Sequence, residues 1–159
     1  MSEPASSPQF SLQKIYLKDV SFESPNPLES FRLANQPPDV NLNMNTEAKQ
    51  LKDDLHEVVL NLTITVKAKG SDTVLYLAEI KQAGLFSLSN FSDQERAYMS
   101  NVQCSNILFP FAREEIASLV AKGGFPQLLL APLNFEALYN QHMRKMAEAE
   151  RNNPSTAKH

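Results

Sequence analysis

Few residues in this chain have the types that could do covalent or metal chemistry. The histidines are His56, His142 and His159, and the single cysteine is Cys104. Nucleophilic catalysis would need Cys104 paired with a base, but the chain places no histidine near it in sequence. No pair of these residues has the spacing of a metal-ligand motif. Glu114 and Glu115 are adjacent, so one helix face cannot aim both at a single substrate. They read instead as charges that suit an early helical turn. The four glycines, Gly70, Gly84, Gly123 and Gly124, make no phosphate loop. No catalytic residue, no metal site and no cofactor are expected. What remains is apolar and acidic surface, and the chemistry of binding.

The composition sets wide bounds. The 159 residues are 42% hydrophobic with a net charge of −3, which suits one domain with a core. No basic stripe suggests nucleic-acid binding. A lone cysteine forbids an internal disulfide and fits a reducing cytoplasm. No signal segment or apolar run of membrane-spanning length is read, so no membrane insertion is expected.

The elements that must position any surface follow from periodicity. Residues 1–9 and 148–159 are polar and are expected to be disordered, leaving 10–147 as the folded domain. Phe10 to Phe22 reads as an edge strand. Phe10 and Leu12 alternate in one phase, Ile15 and Leu17 in the other, so a bulge is expected between them. Lys14, Lys18 and Asp19 would protect the edge. Ser24 to Pro38 is proline-rich and expected to be a non-helical crossover. It is too long for a hairpin, so the next strand need not pair with the first.

Asp39 to Asn45 puts Val40, Leu42 and Met44 on one face and three asparagines on the other. Glu47 to Asp54 reads as a polar hairpin loop. Leu55 to Ala68 is the clearest strand, with Val58, Leu60, Leu62, Ile64 and Val66 on one face. Lys69 to Asp72 is a turn. A fourth strand, Thr73 to Leu85, carries Val74, Tyr76, Ala78 and Ile80 on one face. Leu75, Leu77, Glu79 and Lys81 share the other, and Gln82-Ala83-Gly84 is expected to end it.

Ser92 and Glu95 form a candidate capping box for a short helix through Tyr98 and Val102. A longer helix is expected to start near Pro110 and to end at a left-handed Gly123. Phe109, Ala112, Ile116, Leu119 and Val120 make its apolar stripe. Leu108 and Phe111 lie off it. The surplus fits either a buried core helix or one shared between its own sheet and a neighbouring subunit. Leu128 to Leu133 reads as an extended connector. A last helix is capped by Asn134 and carries Phe135, Leu138, Tyr139, His142, Met143 and Met146. The methionines either fill core gaps or adapt to a variable ligand.

Several segments together resemble one family. NILFPFARE from Asn106 and GGFPQLLLAPLNFEALY from Gly123 carry the most specific likeness to SecB, the bacterial protein-export chaperones. IYLKDVSFESPN from Ile15, DVNLNMN from Asp39 and EVVLNLTITV from Glu57 match in order. The resemblance spans roughly Phe10 to Met146.

It implies an α+β fold, a four-stranded antiparallel sheet with helices on one face. Subunits would pair into an eight-stranded sheet, and two such dimers would form a homotetramer. Phe109, Ile116, Leu119 and Val120 would pack on the sheet or at subunit contacts. The implied function is ATP-independent holding of unfolded preproteins and their delivery to the motor ATPase SecA. Val40, Leu42 and Met44, with Tyr76, Ala78, Ile80 and Gln82 on a neighbouring strand, would form the preprotein groove. His142 and Met146 would contribute to it.

Asp19, Glu23, Leu77 and Glu79 would dock the zinc-bearing tail of SecA, the zinc belonging to that partner. Without the resemblance, Asp19 and Glu23 read as solvated edge charges. Many relatives carry a tryptophan near the Gln-Pro end of the crossover. This chain has none, and Asn35 stands near that point. Two alternatives are a SecB-like chaperone dedicated to an antitoxin and, more remotely, a small-molecule-binding α+β protein.

Overall fold

The computed structural model describes residues 6–153. The strands are β1 (Gln9–Glu23), β2 (Asp39–Lys52), β3 (Leu55–Lys67) and β4 (Val74–Ser89). They form one antiparallel sheet in the order β1-β4-β3-β2. The helices are α1 (Pro27–Leu33), α2 (Asp93–Tyr98), α3 (Ser105–Lys122) and α4 (Phe135–Asn152), with a π-helical turn at Met99–Cys104 joining α2 to α3. The architecture is the expected α+β sheet with helices on one face.

The core follows from strand alternation. Val58, Leu60, Leu62, Ile64 and Val66 of β3 are buried and face α3, which supplies Leu108, Phe109, Ala112, Ile116 and Val120. The opposite face of the sheet stays open, as the polar alternates of β2 and β3 require. β1 is an edge strand, and its register slips between Leu12 and Lys14, where the hydrophobic phase changes. A second slip separates Leu17 from Asp19.

Several expected boundaries move. Pro27 does not exclude a helix from the crossover; it opens α1, where its missing N–H costs nothing. Glu47 to Lys52 is strand, not loop, and the chain reverses at Asp53 and Asp54, with Asp53 left-handed (φ 54°). Polar side chains there reflect an edge strand, while β3 satisfies the backbone on one side. β4 continues past Gly84, which sits opposite Ile15. A Cβ at Gly84 would strike the buried ring of Phe86 and press on Leu108. The glycine therefore serves close helix-to-sheet packing rather than chain reversal.

The long helix begins earlier than expected. The Ser92–Glu95 capping box is present in both directions and starts a helical run that continues through the π turn into α3. Pro110 consequently lies inside α3, not in its first turn. The bond it cannot give to Asn106 falls where Asn106 is exposed to water. Gly124, not Gly123, takes the left-handed conformation (φ 87°). Gly123 instead leaves room for the ring of Phe22.

α4 extends to Asn152, so the expected tail from 148 is helical as far as that residue. Gln9, placed in the expected N-terminal tail, belongs to β1. The parts of both expected tails at 1–5 and 154–159 lie outside the described residues.

Candidate functional site: an edge groove and an acidic sheet face

A groove of about 450 Å³ runs between edge strand β2 and helix α4. Met44 and Thr46 border it from the strand, and Leu138, Tyr139, His142 and Lys145 from the helix. The irregular connector after Phe125 delivers α4 to this position. Asn134 caps it by accepting the Ala137 N–H at 2.9 Å. Phe135 anchors the first turn, its ring edge-on to Phe109 at 5.7 Å. The strand is tied to the long helix by a hydroxyl pair, Thr46 with Ser105, at 2.9 Å.

Val40 is 43% exposed, while Leu42 and Met44 are half-buried along the same face of β2. Met146 is 48% exposed two turns or so beyond Leu138. The structure therefore brings Met44 and His142 together, with Val40, Leu42 and Met146 on the same side. Leu138, Tyr139 and Phe135 are additional apolar lining, and Asn45, Thr46, Asn101, Gln141 and Lys145 additional polar lining. Leu138 and Tyr139 were legible in the helical stripe, whereas Thr46 was hidden by reading that segment's end as loop.

The other half of the expected groove is elsewhere. β3 separates β2 from β4, so the two named strands are not neighbours. Tyr76, Ala78, Ile80 and Gln82 are sealed under the helices. Gln82 is satisfied there by donating to the Tyr16 carbonyl at 3.1 Å. Alternation found their common face but could not say that α3 covers it. Leu75 also changes sides. The β3–β4 register slips between Val66 and Lys67, turning Leu75 into the core. Beneath the crossover, Phe31, Phe125, Tyr76 and Phe22 form a continuous chain of ring contacts. Asn35 stands outside it, its amide near the Arg32 carbonyl at 3.4 Å.

The open sheet face assembles the second set. In the β1–β4 ladder Glu23 opposes Leu77, Ser21 opposes Glu79, and Asp19 opposes Lys81. Asp19, Glu23, Leu77 and Glu79 thus share one face of two adjacent strands. The three carboxylates are exposed and Leu77 is half-buried between them. Lys81 was not singled out as part of this patch, although strand alternation had placed it on this face. Nearby, Glu57 accepts from Lys18 Nζ at 2.8 Å and from the Tyr16 hydroxyl. Those two bonds, Lys18 first, hold its carboxyl below the usual range.

Of the expected interface residues, Phe109, Ile116 and Val120 are buried within the chain's own core. That is the sheet-packing alternative of the expectation. Leu119 is half-buried and Phe111 is 49% exposed, so the surplus apolar surface of α3 lies there. Leu108, also thought surplus, is fully buried over Gly84.

Among the described residues no cluster of three or more His, Cys, Asp or Glu is placed to hold a metal ion. Burial pushes the Cys104 thiol up to about 12, which suppresses the reactive thiolate. His56 is buried with Nδ1 2.9 Å from the Asp54 carbonyl. No helix is long and apolar enough to cross a membrane among the described residues.

A half-covered antiparallel sheet with a groove of mixed polar and apolar lining at one edge and an acidic open face defines an α+β binding protein. Comparison with known proteins is specific. The family described as "Preprotein translocase subunit SecB" matches residues 3–146. "Protein-export protein SecB" of Pseudomonas putida is 49% identical over 143 residues, covering 90% of this chain and 87% of its own. That of Hydrogenovibrio crunogenus is 44% identical, covering 94% and 98%. Among solved structures, a SecB-like chaperone of Mycobacterium tuberculosis, bound to a ChAD peptide from an antitoxin, shares the fold. Its TM-score is 0.64 at 16% identity, covering 78% of this chain and 90% of that one. The chain belongs to the SecB family of protein-export chaperones.

Proposed function

We propose that this protein holds unfolded preproteins in the cytoplasm without ATP and hands them to SecA. The observation that carries this reading is the groove between β2 and α4, lined by Met44, Leu138, Tyr139 and His142. An unfolded chain exposes apolar side chains worth roughly 1.5–3 kcal/mol each when buried. A groove with methionine and aromatic walls gathers several of them without reading a fixed sequence. Binding the unfolded state draws the folding equilibrium towards it by mass action. A folded protein has hidden the same groups and is passed over.

The groove proposal keeps Val40, Leu42, Met44, His142 and Met146 and adds Leu138 and Tyr139. Tyr76, Ala78, Ile80 and Gln82 leave the groove and belong to the core. The acidic face is the docking surface for the basic, zinc-bearing tail of SecA, with Asp19, Glu23 and Glu79 supplying charge and Leu77 an apolar contact. The assembly is a dimer of dimers, in which β1 offers an unpaired edge and Phe111 and Leu119 offer apolar surface. Several grooves on one assembly then bind one long chain at high effective concentration. No cofactor takes part.

Val40→Asp and Leu138→Asp test the groove, because both positions are about two-fifths exposed (43% and 41%) and tolerate charge. Folded assemblies with weakened binding of an unfolded precursor are expected. Unchanged binding in both would remove the groove from the mechanism. A chaperone serving one antitoxin is the second reading, favoured by the ligand in the Mycobacterium tuberculosis structure. The three carboxylates of the open face and the export-protein relatives support the general role instead.

A further inference from the structure

The chain has five methionines. The four within the described residues, Met44, Met99, Met143 and Met146, all stand on or around helix α4. Met44 borders the β2 groove. Met99 and Met143 border a hollow of about 550 Å³ between α4 and the start of the long helical run, together with Glu95 and Tyr139. Met146 follows one turn beyond Met143. Exposure is graded: Met143 and Met146 are 41% and 48% exposed, while Met44 and Met99 are half-buried. Among the described residues no methionine lies in the buried core.

We propose that Met143 and Met146 are sites of reversible oxidation, through which hydrogen peroxide weakens the hold of α4 on an unfolded chain. The thioether sulfur attacks one peroxide oxygen. The O–O bond breaks, an S–O bond forms, and the proton of the transferred oxygen ends on the departing hydroxide as water. Sulfur is oxidised by two electrons and peroxide is reduced. On return, a methionine sulfoxide reductase removes the oxygen as water while two thiols become a disulfide.

Three observations carry this. The first is access. An exposed thioether reacts without losing a proton, whereas Cys104, the chain's single thiol, is buried with its pKa pushed up to about 12. The chain has no tryptophan to compete. The second is position. Three residues apart, Met143 and Met146 alter one face of α4, and a sulfoxide turns a flexible apolar side chain polar there. The third is what oxidation spares. The core between the sheet and α3 contains no methionine, and Phe135 and Phe109, whose rings peroxide leaves alone, seat the first turn of α4. Oxidation therefore changes the binding wall and leaves the fold standing.

The proposal rests on α4 being a wall of the precursor groove, and the test separates the two. The intact protein is treated with hydrogen peroxide, freed of it, and its peptides are mapped by mass spectrometry. Sulfoxide is expected at Met143 and Met146 before Met44 and Met99; the reverse order overturns the assignment. Calorimetric titration with an unfolded precursor should then show binding weakened about tenfold, as for losing one buried apolar contact, at an unchanged urea midpoint. Methionine sulfoxide reductases for both epimers, with dithiothreitol, should restore it. Full binding by protein oxidised at both positions overturns the proposal. A loss that comes with a lower urea midpoint, or that the reductases leave in place, is general damage and overturns it too. Untreated protein that ignores the unfolded precursor overturns the groove reading itself, and the proposal with it.

Met143→Leu combined with Met146→Leu assigns the effect to α4. Leucine keeps an apolar wall and takes up no oxygen. Each protein is compared with itself before and after peroxide, so that any change in its starting affinity cancels. The double variant should bind equally before and after. A loss as large as that of the native protein would place the sensitivity on other residues and contradict the proposal.

Discussion

Two residues of α3, one turn and a little apart, should fail in opposite ways when shortened. Ile116 is fully buried against the sheet, and Phe111 is 49% exposed. Ile116→Ala leaves a cavity and should cost about 2–5 kcal/mol of folding stability. Phe111→Ala removes little from the subunit's own core. An aromatic side chain carries roughly 150–250 Å². With 49% of Phe111 exposed, about 100 Å² is available, worth about 2.5 kcal/mol per copy if an interface covers it.

A reciprocal pair of copies would contribute about 5 kcal/mol, more than a thousandfold in the dissociation constant. Light scattering coupled to size exclusion, over a dilution series, measures assembly. Urea unfolding, monitored on the same samples, measures stability. Ile116→Ala should lower the urea midpoint, and Phe111→Ala should shift the dissociation midpoint while the diluted subunit keeps its midpoint. An undiminished assembly for Phe111→Ala would falsify the placement of the subunit contact on that face.

Further expectations follow from the open face and the buried titrating groups. Glu79→Lys should weaken the salt-sensitive docking of SecA and leave precursor binding intact, read by titration at low and moderate salt; joint loss would contradict two separate surfaces. Cys104, Tyr16 and Tyr76 are each held up at about 12, by burial first and, for Tyr16, by its bond to Glu57 as well. These groups stay protonated in the folded chain while the unfolded chain ionises from about 9 to 10. Stability should be full below that range and fall as pH rises towards 12. Cys104→Ala should remove the earliest part of that fall in urea titrations taken at stepped pH.

The fold was legible where one face of a strand is buried. β3 alternates without interruption, and the phase change in β1 marked its bulge. Both caps, at Ser92 and Asn134, were also readable, because their side chains act within one turn. Asp19, Glu23, Leu77 and Glu79 share one sheet face, a placement that alternation and an antiparallel ladder are enough to give. The failures share a cause: local signals do not say what covers them. Glu47 to Lys52 is polar because it is an edge, not because it is a loop. Gly84 yields room to the ring of Phe86 and then to Leu108, and Pro110 is tolerated inside a helix held by tertiary packing. Tyr76 to Gln82 look like groove from one strand, but α3 closes over them. The hollow behind Tyr139 was invisible because its two walls are more than forty residues apart in places, as Glu95 and Tyr139 are.

The most direct measurement is calorimetric titration of the intact protein with one slow-folding precursor, presented unfolded and then folded. Heat with the unfolded form only, at about one chain per four subunits, is the result expected of a groove-lined holdase assembly. Equal heat with the folded form would contradict selection of exposed apolar segments and identify a specific partner surface instead.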